Sequence, residues 1–523
     1  MARVLAIDAG TTGVRGVVVD EDGRFLGSGY REFPQHFPRP GWVEHDPTEI
    51  RAALLAACSD ALVAAGTAAH DIDCIGITNQ RETTVLYDRA TLEPVHRAIV
   101  WQDRRTAHRC EALVANGHAP RVRSTTGLVV DAYFSGTKLA WLLDEVPGAR
   151  TRAEAGDLAF GTIDTWLVAE MTGGRSHVTE PSNASRTMLL DRTSGTWSDE
   201  MLTLLGVPAS VLPEVRDSAG DFGITDPSRF LGIAAPITGI AGDQQAALFG
   251  QGAWRAGTSK NTYGTGSFLL LNTGEVPVPA DHGLLGSIGW RFDGRTTHVL
   301  EGAIFVTGAS VQWLRDQLGI IQDAEQTEAL AAELPDGNEG VYLVPAFAGL
   351  GAPYWDPHAR GTIVGLTRGS DRRHLARAAI EAMAYQTADV AALMERGSGI
   401  TLDELRVDGG ASANDLLCRF QADVLGVDVL RPRQRETTVL GAAFLAGLGA
   451  GVWASTDELE DVWQLDRRFS PTMAAGERAR LVSGWHAAVE RSRGWAQVAG
   501  MDGDGWTSDH AGPGAGDTEE AGR

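Results

Sequence analysis

The sequence predicts an α/β protein of two large domains packed about a central cleft, and three observations carry that prediction. The chain has 523 residues, more than one hydrophobic core ordinarily supports. Short continuous apolar runs, of the kind buried on both faces of a sheet, end in turns rich in Gly, Thr and Asp that lead into helices. A strand, a Gly/Thr turn and a second strand occur at residues 4–20 and again at 260–272, which suggests a duplicated fold whose second half begins near residue 253. The expected domains are residues 1–252 and 253–499. A disordered tail is expected over 500–523, where Gly, Asp, Pro and Glu prevail.

Apolar residues make up 43 % of the chain and charged residues 22 %, ordinary values for a globular protein. The net charge of −23 argues against nucleic acid or an anionic membrane as partner, because both are held largely through Lys and Arg. It leaves a nucleotide open, since backbone N–H groups, helix N-termini and a metal ion can hold phosphates. Cys58, Cys74, Cys110 and Cys418 are scattered without metal spacing and read as reduced core thiols of a cytoplasmic protein. Strand pattern begins at Val4, so no signal peptide is expected, and no apolar run reaches membrane-spanning length.

In chain order, Val4 to Ile7 is a buried strand broken at Asp8 to Gly13, and Val14 to Asp20 is its return. Asp22-Gly23 then marks a tight hairpin. The turn at Asp8 to Gly13 is either a plain tight turn or a cradle in which amides and hydroxyls face a phosphate and Asp8 a cation. A helix is expected over roughly residues 47–65. The strand Ile72 to Thr78 ends in Asn79 to Thr84, polar residues at the carboxyl end of a buried strand, where open α/β sheets place ligands. There Arg81 and Glu82 form either a surface ion pair or a donor fork beside an acceptor pair suited to vicinal hydroxyls. Ile99 to Arg105 repeats the strand-to-polar pattern, a helix opens near Asp131 to Lys138, and Thr162 to Leu167 and Thr179 to Arg186 read as structural.

The segment Gly239 to Gly250 is the centre of the chain: an apolar run ends in glycine, Asp243 follows, and Ala246 to Phe249 are the first buried turns of a helix. Asp243 is expected as N-cap, and a carboxylate at a helix mouth is also placed to take a proton from a hydroxyl. Downstream, Gly302 to Leu314 reads as a helix with Gly308 and Gln312 on one face, the glycine serving either ligand approach or close packing. Arg406 to Asn414 is a strand leading to acid, glycines and a helix start, and the last main helix is expected to begin at Glu436.

No P-loop and no complete Gly-x-Gly-x-x-Gly is present. Instead the three Gly/Thr/Asp turns resemble the actin/hexokinase ATPase arrangement, two ribonuclease-H-like domains around a nucleotide. Within it the chain is similar, from about residue 3 to about residue 497, to the FGGY carbohydrate kinases that phosphorylate glycerol. The resemblance rests on Gly76 to Thr84, Tyr133 to Lys138, Gly239 to Gly250, Asn261 to Gly266 and Pro345 to Trp355.

It implies transfer of phosphate from ATP to glycerol, giving sn-glycerol 3-phosphate in glycerol catabolism, with Asp243 as base. Arg81, Glu82, Tyr133, Asp243 and Gln244 would hold the glycerol hydroxyls, with Trp101 and Phe268 against its carbon edge and Thr11 close by. Thr11, Thr12, Gly13 and Arg15 would meet the phosphates, Thr265, Gly308 and Gln312 the middle of ATP, Gly410 and Asn414 its adenosine end, and Asp8 the Mg²⁺. A homo-oligomer, dimer or tetramer, is implied as well. The chain departs from the family pattern where Ala9, Gly13 and Val14 stand in place of Gln and two serines, removing side-chain donors from the phosphate turn. Some members bind the inhibitor fructose 1,6-bisphosphate at a glycine-rich loop carrying an arginine. The matching segment here, Asp226 to Pro236, has one glycine, Arg229 and apolar neighbours, and insensitivity is expected.

Overall fold

The computed structural model describes residues 2–335 and 337–498; the tail expected over 500–523 lies outside the described residues. Two sheets organise the chain. The first runs β5-β4-β1-β2-β3, where β1 is Arg3–Ala9, β2 Gly13–Asp20, β3 Phe25–Glu32, β4 Cys74–Asn79 and β5 Ile237–Gly242. The second runs β8-β9-β7-β6-β10-β11-β12, with β6 Thr258–Tyr263, β7 Ser267–Gly274, β8 Leu285–Phe292, β9 Arg295–Ile304, β10 Glu404–Asp408, β11 Asp428–Pro432 and β12 Leu465–Phe469.

The duplication read from the sequence is present in the pairing. In the first sheet β1 pairs antiparallel with β2 and parallel with β4, which pairs parallel with β5. In the second, β6 pairs antiparallel with β7 and parallel with β10, which pairs parallel with β11. β4, which is buried along its whole length and apolar over Cys74 to Ile77, is covered on both faces.

The helix Pro47–Ala65 forms where its caps dictate: Asp46 accepts from the Thr48 N–H at 2.9 Å, Pro47 begins the first turn, and Gly66 closes the end at a φ of 59°. The halves interlock through the helix Thr437–Ala450, which lies against β1, β4 and β5 of the first sheet. Glycine makes that approach possible, because a Cβ at Gly76 would lie 2.2 Å from the Ala442 carbonyl oxygen and one at Gly239 2.1 Å from the Ala446 nitrogen. It is not the last main helix, since Ala475–Ser492 follows it. All four cysteines are buried and unpaired, and no described helix is long and apolar enough to cross a membrane.

Residues 302–304, expected as helix, belong instead to β9, where Phe268 pairs with Ala303 and Ser267 with Ile304; the helix is Gly308–Asp316. Tertiary pairing with β7 outweighs the local propensity there.

Candidate active site

β5 ends at Gly242, and the helix Asp243–Gly250 begins at once. Asp243 is not the N-cap: Gly242 holds that place and Asp243 is the first helical residue. Gly242 is forced there by its surroundings, its N–H bound to the Ser182 hydroxyl at 2.8 Å and its α-carbon so close to Arg81 that a Cβ would lie 2.7 Å from Cγ. The Asp243 carboxylate accepts from the Gln244 N–H at 2.7 Å and forms an ion pair with Arg81, Oδ1 to Nε at 3.1 Å. Burial pushes its carboxyl above the usual range, and the Arg81 guanidinium, the Gln244 N–H and the Lys260 ammonium oppose that rise.

Arg81 is not a surface ion pair. Its guanidinium spans to Glu301 on β9, at 2.5 Å from Nη1 to Oε2 and 3.3 Å from Nη2 to Oε1, and to the Gln245 side-chain oxygen Oε1 at 3.2 Å. Arg186 completes the knot, with Nε 2.5 Å from Glu82 Oε1 and Nη2 3.1 Å from Glu301 Oε1. All four charges are buried, and they balance. Two guanidiniums hold the Glu301 carboxyl down to about 2 against the opposing effect of burial. Glu82 sits at a φ of 61°, a left-handed backbone that its carbonyl's three donors stabilise, Ser135 Oγ at 2.9 Å, Thr84 Oγ1 at 3.2 Å and Lys138 Nζ at 3.3 Å. Lys138 also donates to the Tyr133 carbonyl at 2.5 Å, so the loop with Tyr133 and the Arg81-Glu82 turn are tied together.

Tyr133 meets Trp101 edge to face, with ring centroids 5.6 Å apart. The Trp101 indole N–H donates to Thr11 Oγ1 at 2.9 Å, joining these aromatics to the first hairpin. Across the cleft Phe268 stands opposite Thr262 in the β6–β7 register.

The hairpin Asp8 to Gly13 closes through Gly10 N–H to the Gly13 carbonyl at 3.0 Å. Among the described residues the Thr11 and Thr12 N–H groups have no protein acceptor, which suits an anion at the turn. Gly13 is required by packing: a Cβ would lie 2.6 Å from the Arg31 carbonyl oxygen and from Tyr30 Oη. Arg15 pairs with Asp8 across β1 and β2 and carries an ion pair to Glu436 at 3.3 Å.

The Asp8 carboxylate accepts no hydrogen bond among the described residues. Burial, then the nearby Asp243 carboxylate, push its carboxyl up to about 7, against the pull of Arg15. Because the folded value lies above the unfolded 3.8, its contribution to stability is present at low pH and is lost as pH rises through about 7. Without added metal, Asp8→Asn is therefore expected to melt at a higher temperature than the parent at pH about 8, by roughly 2–4 °C per kcal/mol relieved. The two are expected to converge near pH 4. Parallel melting curves at both pH values check this, and an equal difference at both would contradict it.

A cavity of about 390 Å³ is lined by Thr265, Gly308, Gln312, Gly410 and Asn414 together with Tyr263, Met383 and Leu417. Of the nine residues assigned to the nucleotide from sequence, these five share one cleft, while Thr11, Thr12, Gly13 and Arg15 of the first hairpin do not line it. Gly308 also packs closely, its N–H bound to the Gly264 carbonyl at 3.0 Å and a Cβ there 2.5 Å from the same oxygen. Asn414 caps the helix Asp415–Leu425, its side chain accepting from the Leu417 N–H at 2.9 Å. A cavity of about 470 Å³ around Trp254, Arg406 and Trp463 contains none of these residues.

Three residues of the site escaped the sequence reading. Arg186, in a segment that reads as structural, lies against Glu82. Glu301 carries no motif, and Lys260, 0 % exposed, donates to Gln244 Oε1 at 2.5 Å and to Thr262 Oγ1 at 2.8 Å.

Two sheets with matching strand pairing, an acidic residue at the mouth of a buried helix and a Gly/Thr turn make up a two-part α/β architecture with a candidate site between the strand ends. The N-terminal domain of the FGGY family of carbohydrate kinases matches residues 3–250 and its C-terminal domain residues 259–450. The chain belongs to that family. Its relatives include a glycerol kinase of Dechloromonas aromatica, 57 % identical over 495 residues covering 95 % of this chain and 98 % of the relative. A glycerol kinase of Deinococcus radiodurans is 56 % identical over 492 residues, 94 % and 98 % of the two chains. Among solved structures, Plasmodium falciparum glycerol kinase with ADP superposes at a TM-score of 0.89 with 34 % identity, covering 94 % of this chain and 98 % of that one.

Proposed function

We propose that the protein phosphorylates glycerol with ATP, giving sn-glycerol 3-phosphate by in-line transfer of the γ-phosphoryl group with Asp243 as the base. The observation that carries this reading is the position of Asp243: a carboxylate fixed on the Gln244 N–H and Arg81 Nε at the helix mouth, between the Arg81-Glu82 knot and the Gly/Thr turn. Transfer of this kind depends chiefly on positioning and on neutralising charge. Arg81, Glu82, Tyr133 and Gln244 hold the hydroxyls in this reading, Trp101 and Phe268 flank the carbon chain, and Asp243 takes the proton of the attacking hydroxyl. Thr11, Thr12, Gly13 and Arg15 receive the phosphates, Thr265, Gly308 and Gln312 the middle of the nucleotide, and Gly410 and Asn414 the adenosine.

Asp8 fits a Mg²⁺ ion. Its carboxylate is the acidic group at the turn, has no hydrogen-bond partner among the described residues, and is raised by burial and a like charge that a cation would offset. No group of three metal-binding side chains occurs among the described residues, which accords with an ion held by one carboxylate and the substrate phosphates. When bound, Mg²⁺ supplies charge neutralisation on the phosphates. The setting is taken to be the cytoplasm, with the chain in a homo-oligomer. Steady-state rates with ATP and a panel of glycerol, ketopentoses and longer polyols test the substrate assignment: glycerol is expected to give the highest kcat/KM, and a ketopentose or longer polyol exceeding it would overturn the choice.

The regulatory segment supports a further expectation. Arg229 is committed to Glu170, Nη2 to Oε2 at 3.0 Å, and Phe230 is fully buried, so the loop offers neither a free cation nor a nest of amides to a bisphosphate. Initial rates are expected to be unchanged across millimolar fructose 1,6-bisphosphate at fixed enzyme concentration. Saturable inhibition would show that the loop binds it.

A further inference from the structure

Lys260 lies on β6 and is 0 % exposed. Residues two apart on a strand share a face, and directly paired residues on neighbouring strands do likewise. Lys260 therefore shares its face with Thr262, and Thr262 is paired with Phe268 on β7 and with Asp408 on β10. That face of the second sheet meets the helix that begins with Asp243, and the contact is specific: Nζ donates to Gln244 Oε1 at 2.5 Å and to Thr262 Oγ1 at 2.8 Å.

An ammonium can only donate, so the Gln244 atom facing it must be the amide oxygen. The Gln244 NH₂ group is then turned the other way, and among the described residues it donates to nothing. Burial lowers the Lys260 pKa to about 8; the neighbouring Asp408, Asp243 and Glu301 carboxylates favour the ammonium form and the Arg81 guanidinium opposes it.

We propose that Lys260 is a positioning residue: it locks the Gln244 amide with its oxygen on the second half of the molecule and its NH₂ turned toward the substrate cavity, so that Gln244 serves the substrate only as a hydrogen-bond donor. The recognised group is an oxygen that accepts from Gln244, the class being a polyol hydroxyl. The inference deepens the reading above and rests on it in one respect, that Gln244 touches the polyol.

A double-mutant cycle over Lys260→Met and Gln244→Ala, together with Gln244→Glu, tests it. Each single change is expected to raise the KM for the polyol about tenfold, the loss of roughly one hydrogen bond, while the KM for ATP stays within twofold. The double variant is expected to be no worse than the worse single one, because Lys260 acts through Gln244. Gln244→Glu keeps an acceptor for Lys260 but has no N–H to give, and is expected to be as impaired toward the polyol as Gln244→Ala. Additive single effects, or a Gln244→Glu variant with the parent's polyol KM, would overturn the proposal; if Lys260→Met does not fold, the Gln244→Glu comparison decides it alone. The glycerol assignment stands or falls on the parent's turnover, whereas Lys260 is judged by the cycle on whichever polyol the parent phosphorylates.

Discussion

Asp243→Asn is expected to lower kcat at saturating glycerol and ATP by about 10²–10⁴, the usual cost of removing a general base. The substitution keeps the size of the side chain and an oxygen that can still accept from the Gln244 N–H, so the helix start and its contact with β5 persist. What it removes is a site for the proton of the attacking hydroxyl. The ionised form is the one the reaction needs, and Arg81 Nε at 3.1 Å and the nearby Lys260 ammonium favour it against the burial that raises this carboxyl. ATP affinity without glycerol is expected to be unchanged, since Asp243 is proposed to meet the polyol and does not line the cavity proposed for the middle and adenosine end of the nucleotide. A variant within a few fold of the parent in kcat would remove Asp243 from the role of base.

Arg81→Met is expected to lower the unfolding free energy by about 3–5 kcal/mol, the effect of breaking one member out of a buried charge network. The guanidinium satisfies Glu301, Gln245 and Asp243 at once, and none of Arg81, Glu82, Glu301 and Arg186 is more than 3 % exposed. Without it Glu301 keeps only Arg186 as a cation partner at hydrogen-bond distance. The Glu301 carboxyl lies below its unfolded value of 4.5, so its contribution is present above that value and is lost only as pH falls toward about 2; the deficit is therefore felt in full at neutral pH. The same substitution is expected to raise the KM for glycerol, because the turn carrying Glu82 loses its anchor. Urea titration of parent and variant checks the first expectation, and a loss below about 1 kcal/mol would mean that the network is not a stabilising unit.

The parts of this molecule legible in the sequence are those written in local pattern. Apolar runs beside Gly/Thr/Asp turns marked β1, β2 and β7, the repeat of the first strand-turn-strand marked the polar β6, and the helix expected over roughly residues 47–65 has those ends. Thr265, Gly308, Gln312, Gly410 and Asn414 were reached through motif resemblance, and their convergence on one cavity is a property of the folded chain. Long-range contacts were not legible. Glu301 meets Arg81 across 220 residues of sequence, and no local signal marks a glutamate in the middle of a strand as the counter-charge of a distant turn. Arg186 was hidden for the same reason. The N-cap was misassigned because Gly242 and Asp243 are both good caps, and the choice is made by the Ser182 hydroxyl and Arg81 pressing on Gly242. The residues 302–304 were drawn into a helix by their small apolar side chains, whereas pairing with β7 holds them in a strand.

The most direct test of the central claim is to identify the product of ATP and glycerol by phosphorus NMR with ADP measured in parallel. One ADP is expected for each glycerol consumed, with the phosphorus on a primary carbon as sn-glycerol 3-phosphate; release of inorganic phosphate without a glycerol ester, or an ester on the secondary hydroxyl, would contradict it.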